Sequence, residues 1–184
     1  NDICHGGCPA DALGFLGDSS RDRDQPERAE AAYRKALELR PGDPRILEAQ
    51  GQLRSRTGQP AEAARLFRAS LDADPLQPLG WVNLGIALAA AGNARGAEEA
   101  YGRALQLNPR EAVALFNLGN LRQRAGDLEG AAEAYRGAVE ADPGLGPAHF
   151  ELARVYILTE RPREALPHAR RAVEFRPDHA PSRQ

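Results

Sequence analysis

A fixed spacing of 34 residues runs through nearly the whole chain and restricts its fold more than any other feature. Five prolines mark the spacing: Pro41, Pro75, Pro109, Pro143 and Pro177. A constant period of this length indicates a solenoid built from stacked copies of one supersecondary unit. The spacing therefore predicts five units, at residues 10–43, 44–77, 78–111, 112–145 and 146–179, between a Cys/His/Gly-rich segment at 1–9 and a short tail at 180–184.

Two amphipathic helices are predicted within each unit. In the third unit, Ala97, Tyr101 and Ala104 place small and bulky residues at helical spacing in the second half. In the first half, Leu84 and Gly85 do the same. Glycine and alanine at these places let two helix backbones approach closely, while the large residues fill the space beside them. Each unit is therefore predicted to be an antiparallel helical hairpin.

Glycines and prolines predict where the helices end. Gly58, Gly92 and Gly126 occupy the fifteenth place of their units, where the first helix must stop and the chain must reverse. The proline at the thirty-second place stops the second helix. The outer units depart from this scheme. Pro167 predicts an interruption of the last helix, and a run of poor helix formers predicts fraying or a non-helical contact in the first: Gly14, Gly17, Asp18, Ser19 and Ser20.

The pattern of Trp, Leu-Gly, Ala, Tyr, Ala and Pro in the third unit resembles the tetratricopeptide repeat family. The departures are local, with Gln50, His149 and Ala169 standing where the family pattern has Leu, Trp and an aromatic residue. The resemblance implies an all-α, right-handed superhelical solenoid of antiparallel helix hairpins. It also implies a scaffold that binds proteins through a concave surface, which the first helix of each hairpin lines.

Composition and motifs exclude several other classes of protein. The net charge is −2, and acidic residues are interleaved with arginines, so the basic surface of a nucleic-acid binder is not expected. The longest apolar stretch, near Leu84 to Ala91, is too short to cross a bilayer. The chain carries no nucleophile elbow, zinc-protease, phosphate-loop or dinucleotide motif, so catalysis is not expected.

Three interpretations remain open for Cys4, His5 and Cys8, which lie within five residues of one another. They are free thiols in an ordinary loop, a disulfide or metal site, or a haem attachment motif that keeps only its Cys-His half. Zinc would need ligands that this segment lacks. We expect no cofactor, with haem or metal here as the alternative. The close Cys pair and the start at Asn1 favour a periplasmic location, although a truncated cytoplasmic chain would look the same.

The predicted binding surface combines apolar side chains with amides on the first helices of units three to five. Its residues are Leu79, Val82, Asn83, Ile86, Val113, Phe116, Asn117, Asn120, Gln123, Phe150, Arg154 and Ile157. Asn83 and Asn117 occupy the same place in consecutive units and resemble the asparagine ladder that holds a peptide backbone in some members of the family. The alternative is that asparagine is tolerated there on an exposed helix face. An extended peptide or partner subunit is the expected ligand.

The ends of the solenoid suggest another way of binding. Few residues follow the apolar positions Leu166, Val173 and Phe175 of the last helix, which predicts an uncapped face. Such a face would dock the chain as an accessory subunit of a larger assembly, membrane-associated or haem-containing, or would stack on a second copy.

His149, His168 and His179 are predicted to lie in different places, as packing or surface residues rather than as ligands.

Overall fold

The computed structural model describes residues 9–175, which form ten α-helices and no strand. Their bounds are α1 Pro9–Asp22, α2 Pro26–Leu39, α3 Pro44–Arg56, α4 Pro60–Ala73, α5 Pro78–Ala90, α6 Ala94–Leu107, α7 Ala112–Arg124, α8 Leu128–Ala141, α9 Gly146–Leu158 and α10 Pro162–Glu174. The chain divides into two compact units, Asn1–Ala100 and Tyr101–Gln184, with the division inside α6. Two helices fall in each predicted 34-residue repeat, so the all-helical prediction is confirmed.

Helices pack in the order in which they occur along the chain. In the first unit, α1 packs on α2 and α3 on α4, while α2 and α4 also contact the first helix of the next repeat. In the second unit, α7 packs on α8, α8 on α9, and α9 on α10. Each hairpin therefore buries its apolar residues partly within itself and partly against the next hairpin, as stacked repeats must.

A residue with positive φ ends the first helix of every hairpin. Gly58, Gly92 and Gly126 have φ of 73°, 83° and 84°, as the sequence predicts. Asp24 and Glu160 occupy the equivalent place in the first and fifth hairpins and have φ of 56° and 57°. In all five turns, the next residue donates its N–H to a carbonyl five residues back, as in the 2.7 Å bond from Arg161 to Tyr156.

Glycine in the first helix makes room for an aromatic ring from the second. A Cβ on Gly51 would stand 2.8 Å from the Phe67 ring, and a Cβ on Gly119 would stand 2.5 Å from the Tyr135 ring. Both distances are below van der Waals contact, so only glycine lets the ring pack this closely on the helix backbone. The rings are thereby buried at the centre of their hairpins, with Tyr135 fully buried.

The first helix is continuous from Pro9 to Asp22, so the prediction of fraying or a non-helical contact was wrong. Its poor helix formers are used for packing. A Cβ on Gly17 would overlap the Tyr33 ring, Asp18 accepts a 2.7 Å hydrogen bond from the Tyr33 hydroxyl, and Ser20 is buried. Tertiary contacts therefore outweigh the low helix propensity.

The last helix also differs from its prediction. It runs continuously from Pro162 to Glu174 with Pro167 inside it. Pro167 lies in the second turn and is exposed, so its missing N–H leaves a carbonyl of the first turn facing solvent. The loss of one hydrogen bond is tolerated there, and the predicted interruption is absent.

Candidate functional site

We call the residues at places 2, 5, 6, 9 and 12 of each 34-residue repeat the first-helix face, because these places lie on the first helix of the hairpin. In the first unit, α5 contributes Leu79, Val82, Asn83 and Ile86. Leu79 and Ile86 are 61% and 40% exposed, and Asn83 is half-buried. Val82 is only 2% exposed and belongs to the core, so the prediction that it lies on the binding surface was wrong.

Asn83 is tied to the neighbouring first helix. Its side-chain amide donates to Glu48 Oε1 at 3.2 Å, and Glu48 lies on α3. A shallow pocket lies beside this contact and is lined by Arg21, Gln52, Ser55, Arg56, Phe67, Asn83 and Ile86. Arg21 and Arg56 are not among the residues that the sequence predicts for the binding surface. Their helical spacing from Asp18 and Gln52 is the signal that places them on the same face.

The arginines of this pocket are largely committed to other groups. Arg21 donates to Gln52 Oε1 at 2.9 Å and lies 3.4 Å from Asp18. Arg56 donates to the Arg21 carbonyl at 2.9 Å and to Asp24 at 3.3 Å. The charges of the pocket are therefore close to balanced, and Ile86 is an exposed apolar side chain in its lining.

In the second unit, α7 carries Val113, Phe116, Asn117, Asn120 and Gln123. Val113 is 40% exposed, and the other four are half-buried. The Asn117 amide donates to the Val113 carbonyl of its own helix at 2.8 Å. This intrahelical bond occupies one of the two N–H groups that a peptide ladder would use, and the other stays available.

Asn120 and Gln123 meet at the hydroxyl of Tyr135, which comes from α8. The hydroxyl oxygen lies 2.8 Å from Asn120 Oδ1 and 2.7 Å from Gln123 Oε1. The Phe116 ring packs against the Tyr135 ring with centroids 5.8 Å apart. Burial is the main cause that raises the pKa of Tyr135 above its ordinary value, so the hydroxyl keeps its proton.

The other first helix of the second unit is α9, which carries Phe150, Arg154 and Ile157. Phe150 and Ile157 are 46% and 62% exposed. The Arg154 guanidinium lies 2.7 Å from Glu151, an ion pair one turn along the helix. Glu151 raises the pKa of Tyr135 and Arg154 lowers it, so both charges lie near the hydroxyl. The face of α7 and α9 therefore joins exposed apolar side chains to a cluster of amides and one ion pair.

His149 and His168 lie together, contrary to the prediction that they fall in different places. Their Nδ1 atoms are 3.0 Å apart, and His149 Nε2 lies 3.2 Å from the Pro143 carbonyl. This pair joins α9 to α10 inside the last hairpin. Burial, and then the neighbouring His149, lower the pKa of His168. His179 lies outside the described residues.

The remaining predicted ligands cannot be placed in the structure, because Cys4, His5 and Cys8 lie outside the described residues. Within residues 9–175, no group of three or more His, Cys, Asp or Glu side chains is arranged to hold a metal ion. No helix in the same range has the length and hydropathy needed to cross a membrane.

Comparison with known protein families gives consistent matches over most of the chain. Models of the tetratricopeptide repeat match residues 16–78, 48–94, 82–145 and 122–183. No curated protein sequence matches the chain significantly.

Many solved structures share the fold. A MamA crystal structure is 24% identical, with a TM-score of 0.81 over 96% of both chains. PilF of Pseudomonas aeruginosa is 20% identical, with a TM-score of 0.83 over 91% of this chain and 77% of that one. YrrB, described as a TPR protein with an unusual peptide-binding site, is 26% identical, with a TM-score of 0.72 over 92% and 88%.

Proposed function

The chain belongs to the tetratricopeptide repeat family, and we propose on this basis that it is a non-catalytic scaffold that binds an extended peptide segment of a partner protein. Proteins with this fold generally serve as interaction scaffolds. The proposed binding surface in the second unit is the first-helix face of α7 and α9. The exposed apolar side chains of α5 in the first unit offer a further contact surface of the same kind.

The observation that carries this proposal is the combination of exposed apolar side chains with amides on one face. Phe150 and Ile157 are large, apolar and about half exposed, although they lie on a helix whose opposite face is fully buried. Asn120 and Gln123 supply hydrogen-bonding groups beside them. An extended peptide needs both, because its side chains bury apolar area while its backbone N–H and C=O groups seek partners.

The similarity to YrrB supports the same proposal. That protein is described as having an unusual peptide-binding site, and it matches this chain over most of both lengths. Peptide binding by this chain is the corresponding proposal, and the residues that would contact the peptide are inferred from this structure alone.

The proposal is tested by selecting binders from a phage-displayed library of random nonapeptides and measuring their affinity by isothermal titration calorimetry. We expect dissociation constants near micromolar, about −8 kcal/mol. The double variant Phe150→Ala with Ile157→Ala should weaken binding by tenfold or more. A tenfold change in the dissociation constant corresponds to about 1.4 kcal/mol, and burial of two large apolar side chains contributes more than that.

Leu158→Ala is the matched control, since Leu158 is 57% exposed on the same helix but lies off the first-helix face. It should leave the affinity unchanged. If no peptide is selected, or if the selected peptides bind the double variant as tightly as the original, peptide binding on this face is wrong.

A second candidate function is docking as an accessory subunit through the end of the last hairpin. Ala132 and Val139 of α8 are buried, at 5% and 8% exposure. Leu166 and Val173 occupy the equivalent places in α10 and are 52% and 48% exposed. A face that is covered in one hairpin and open in the next can receive another protein.

This second candidate predicts a different set of sensitive residues. Leu166→Ser with Val173→Ser should abolish association with a partner subunit or a second copy, measured by light scattering against concentration. Phe150→Ala with Ile157→Ala should leave that association intact. A haem or metal at Cys4, His5 and Cys8 would belong to this candidate, and an absorbance spectrum of the purified protein tests for haem.

A further inference from the structure

The Tyr135 hydroxyl has two carboxamide neighbours but only one proton to donate. It is fully buried, and the two carboxamide oxygens lie 2.8 and 2.7 Å from it. A hydroxyl donates one hydrogen bond and accepts others. It can therefore donate to one carboxamide oxygen and must accept from the NH₂ group of the other, which a half-turn of that carboxamide allows.

Because the hydroxyl has one proton, the hydrogen-bonding groups that the two side chains direct away from Tyr135 differ. The carboxamide whose oxygen accepts from Tyr135 directs its NH₂ group outward. The carboxamide whose NH₂ group donates to Tyr135 directs its oxygen outward. Asn120 and Gln123 are both half-buried on the first-helix face, so one donor and one acceptor stand side by side there.

Repeat one shows what a different residue does in the same position. There the Tyr33 hydroxyl donates to Asp18 at 2.7 Å, and Asp18 corresponds to Asn120 by the 34-residue spacing. A carboxylate accepts on all its lone pairs and has no donor. The tyrosine hydrogen bond alone is therefore a structural feature of the hairpin, whereas the outward donor requires the carboxamides of repeat four.

The surroundings favour a peptide group as the occupant of this pair. A peptide unit in an extended segment presents one C=O and one N–H, which match one donor and one acceptor. Phe150 is exposed on the neighbouring helix and can bury the flanking side chains. The nearby Arg154 and Glu151 form an ion pair at 2.7 Å and offset each other, while Arg124 at the C-terminal end of α7 also acts on the hydroxyl. The two carboxamides themselves are uncharged, so the pair matches a neutral peptide group.

We propose that the Tyr135 hydroxyl holds Asn120 and Gln123 as a donor–acceptor pair that takes one peptide unit of an extended partner segment. This inference rests on the proposed peptide-binding function and adds the residue that positions its polar contacts. Tyr135 does not touch the peptide. Its role is to remove the rotational freedom of the two carboxamides before the peptide arrives, so that less entropy is lost on binding.

The test uses a nonapeptide selected on the original chain and then synthesised with each backbone N–H methylated in turn. On the original chain, one methylated position should weaken binding by about tenfold, because the acceptor of the pair loses its partner. Tyr135→Phe should weaken the unmethylated peptide by about tenfold. In Asn120→Ala with Gln123→Ala, methylation at the sensitive position should cost nothing further.

Two further variants separate positioning from structure. Asn120→Asp can keep the tyrosine hydrogen bond, as Asp18 does with Tyr33, but it removes the outward donor and should also weaken binding about tenfold. Tyr33→Phe removes an equivalent hydroxyl from repeat one and should not change the affinity. Helix content measured by circular dichroism should be the same in all variants.

The outcomes distinguish this inference from the proposed function. If peptide binding depends on Phe150 and Ile157 while Tyr135→Phe binds as tightly as the original, the inference is overturned and the proposed function stands. The same holds if no methylated position is penalised. If no peptide is selected, the proposed peptide-binding function is wrong, and the inference that rests on it is wrong as well. If Asn120→Ala with Gln123→Ala abolishes only a concentration-dependent self-association, a second copy occupies the pair and the inference is overturned.

Discussion

The fourth and fifth hairpins lie side by side in the second unit and meet the same 34-residue period with different packing. In the fourth, Gly119 leaves room for the Tyr135 ring against the backbone of α7. In the fifth, Ala153 and Ala169 replace glycine and tyrosine. Its two helices are joined instead by the rings of His149 and His168, which stack with centroids 5.2 Å apart.

The difference has a physical consequence. The glycine–tyrosine contact is steric and is insensitive to pH near neutrality, because burial raises the pKa of Tyr135 further from that range. The histidine contact depends on protonation, because two imidazoles that share one hydrogen bond cannot both be charged without repelling each other. The 34-residue period therefore specifies where two helices meet, whereas the residues at that contact determine whether its stability depends on pH.

The largest expected effect is on the steric contact of the fourth hairpin. Gly119→Ala places a Cβ about 2.5 Å from the Tyr135 ring, which is fully buried. We expect the free energy of unfolding to fall by about 2 kcal/mol, within the usual range for overpacking a core. Urea denaturation followed by circular dichroism measures this change.

Gly102→Ala is the control for the glycine contact. A Cβ on Gly102, in α6, meets nothing within 4 Å, so this variant should gain up to about 1 kcal/mol from helix propensity alone. Equal stability of Gly119→Ala and the original chain would mean that the ring is not held against the backbone. The fourth hairpin would then not be closed by a steric contact between glycine and tyrosine.

The second expected effect is on the histidine contact of the fifth hairpin. His168→Gln keeps a donor for His149 Nδ1 but removes the stacked ring, and we expect it to cost about 1 kcal/mol at pH 8. The pKa of His168 is lowered in the folded state, so the unfolded chain binds its proton first as the pH falls. The stability that the neutral ring provides is therefore present above pH 6.5 and is lost as the pH falls through the lower folded pKa.

Thermal unfolding measured between pH 5 and pH 8 tests this. The original chain should lose stability toward pH 5 more steeply than His168→Gln, so that the gap between the two narrows. A gap that stays constant over this range would show that His168 does not titrate differently in the folded and unfolded chain. The hairpin would then be closed by packing alone.

The hairpins, their order and the ends of most helices follow from the sequence, since period, glycine and proline act locally. Gly58, Gly92 and Gly126 end their helices with positive φ as predicted. Tertiary contacts decide the rest. The first helix forms despite its glycines because Tyr33 packs on Gly17. Helix propensities describe single residues and cannot predict a contact between two helices.

The candidate site was predictable to a lesser degree. Helical spacing places Asn120, Gln123 and Phe150 on the first-helix face, but it could not show that Val82 turns into the core or that Asn117 bonds to its own helix. The contact between His149 and His168 joins the fourth and twenty-third places of one repeat. That pairing becomes visible only when the hairpin is built, because the two places are 19 residues apart in the chain.

The smallest expected effect is on the turns that end α7 and α9. Glu160 has φ of 57°, which strains a residue with a side chain, whereas Gly126 has φ of 84° at the equivalent place without strain. Glu160→Gly relieves about 1 kcal/mol of strain but adds about 0.5 kcal/mol of chain entropy to the unfolded state. The net gain should be about 0.5 kcal/mol, and Gly126→Ala should lose about the same amount, each measured by urea denaturation.

Glu160→Ala keeps the strained backbone and removes only the exposed carboxylate, so it should leave stability unchanged. If Glu160→Ala instead gains as much as Glu160→Gly, the carboxylate rather than the backbone is the unfavourable element, and the two turns differ in charge and not in strain.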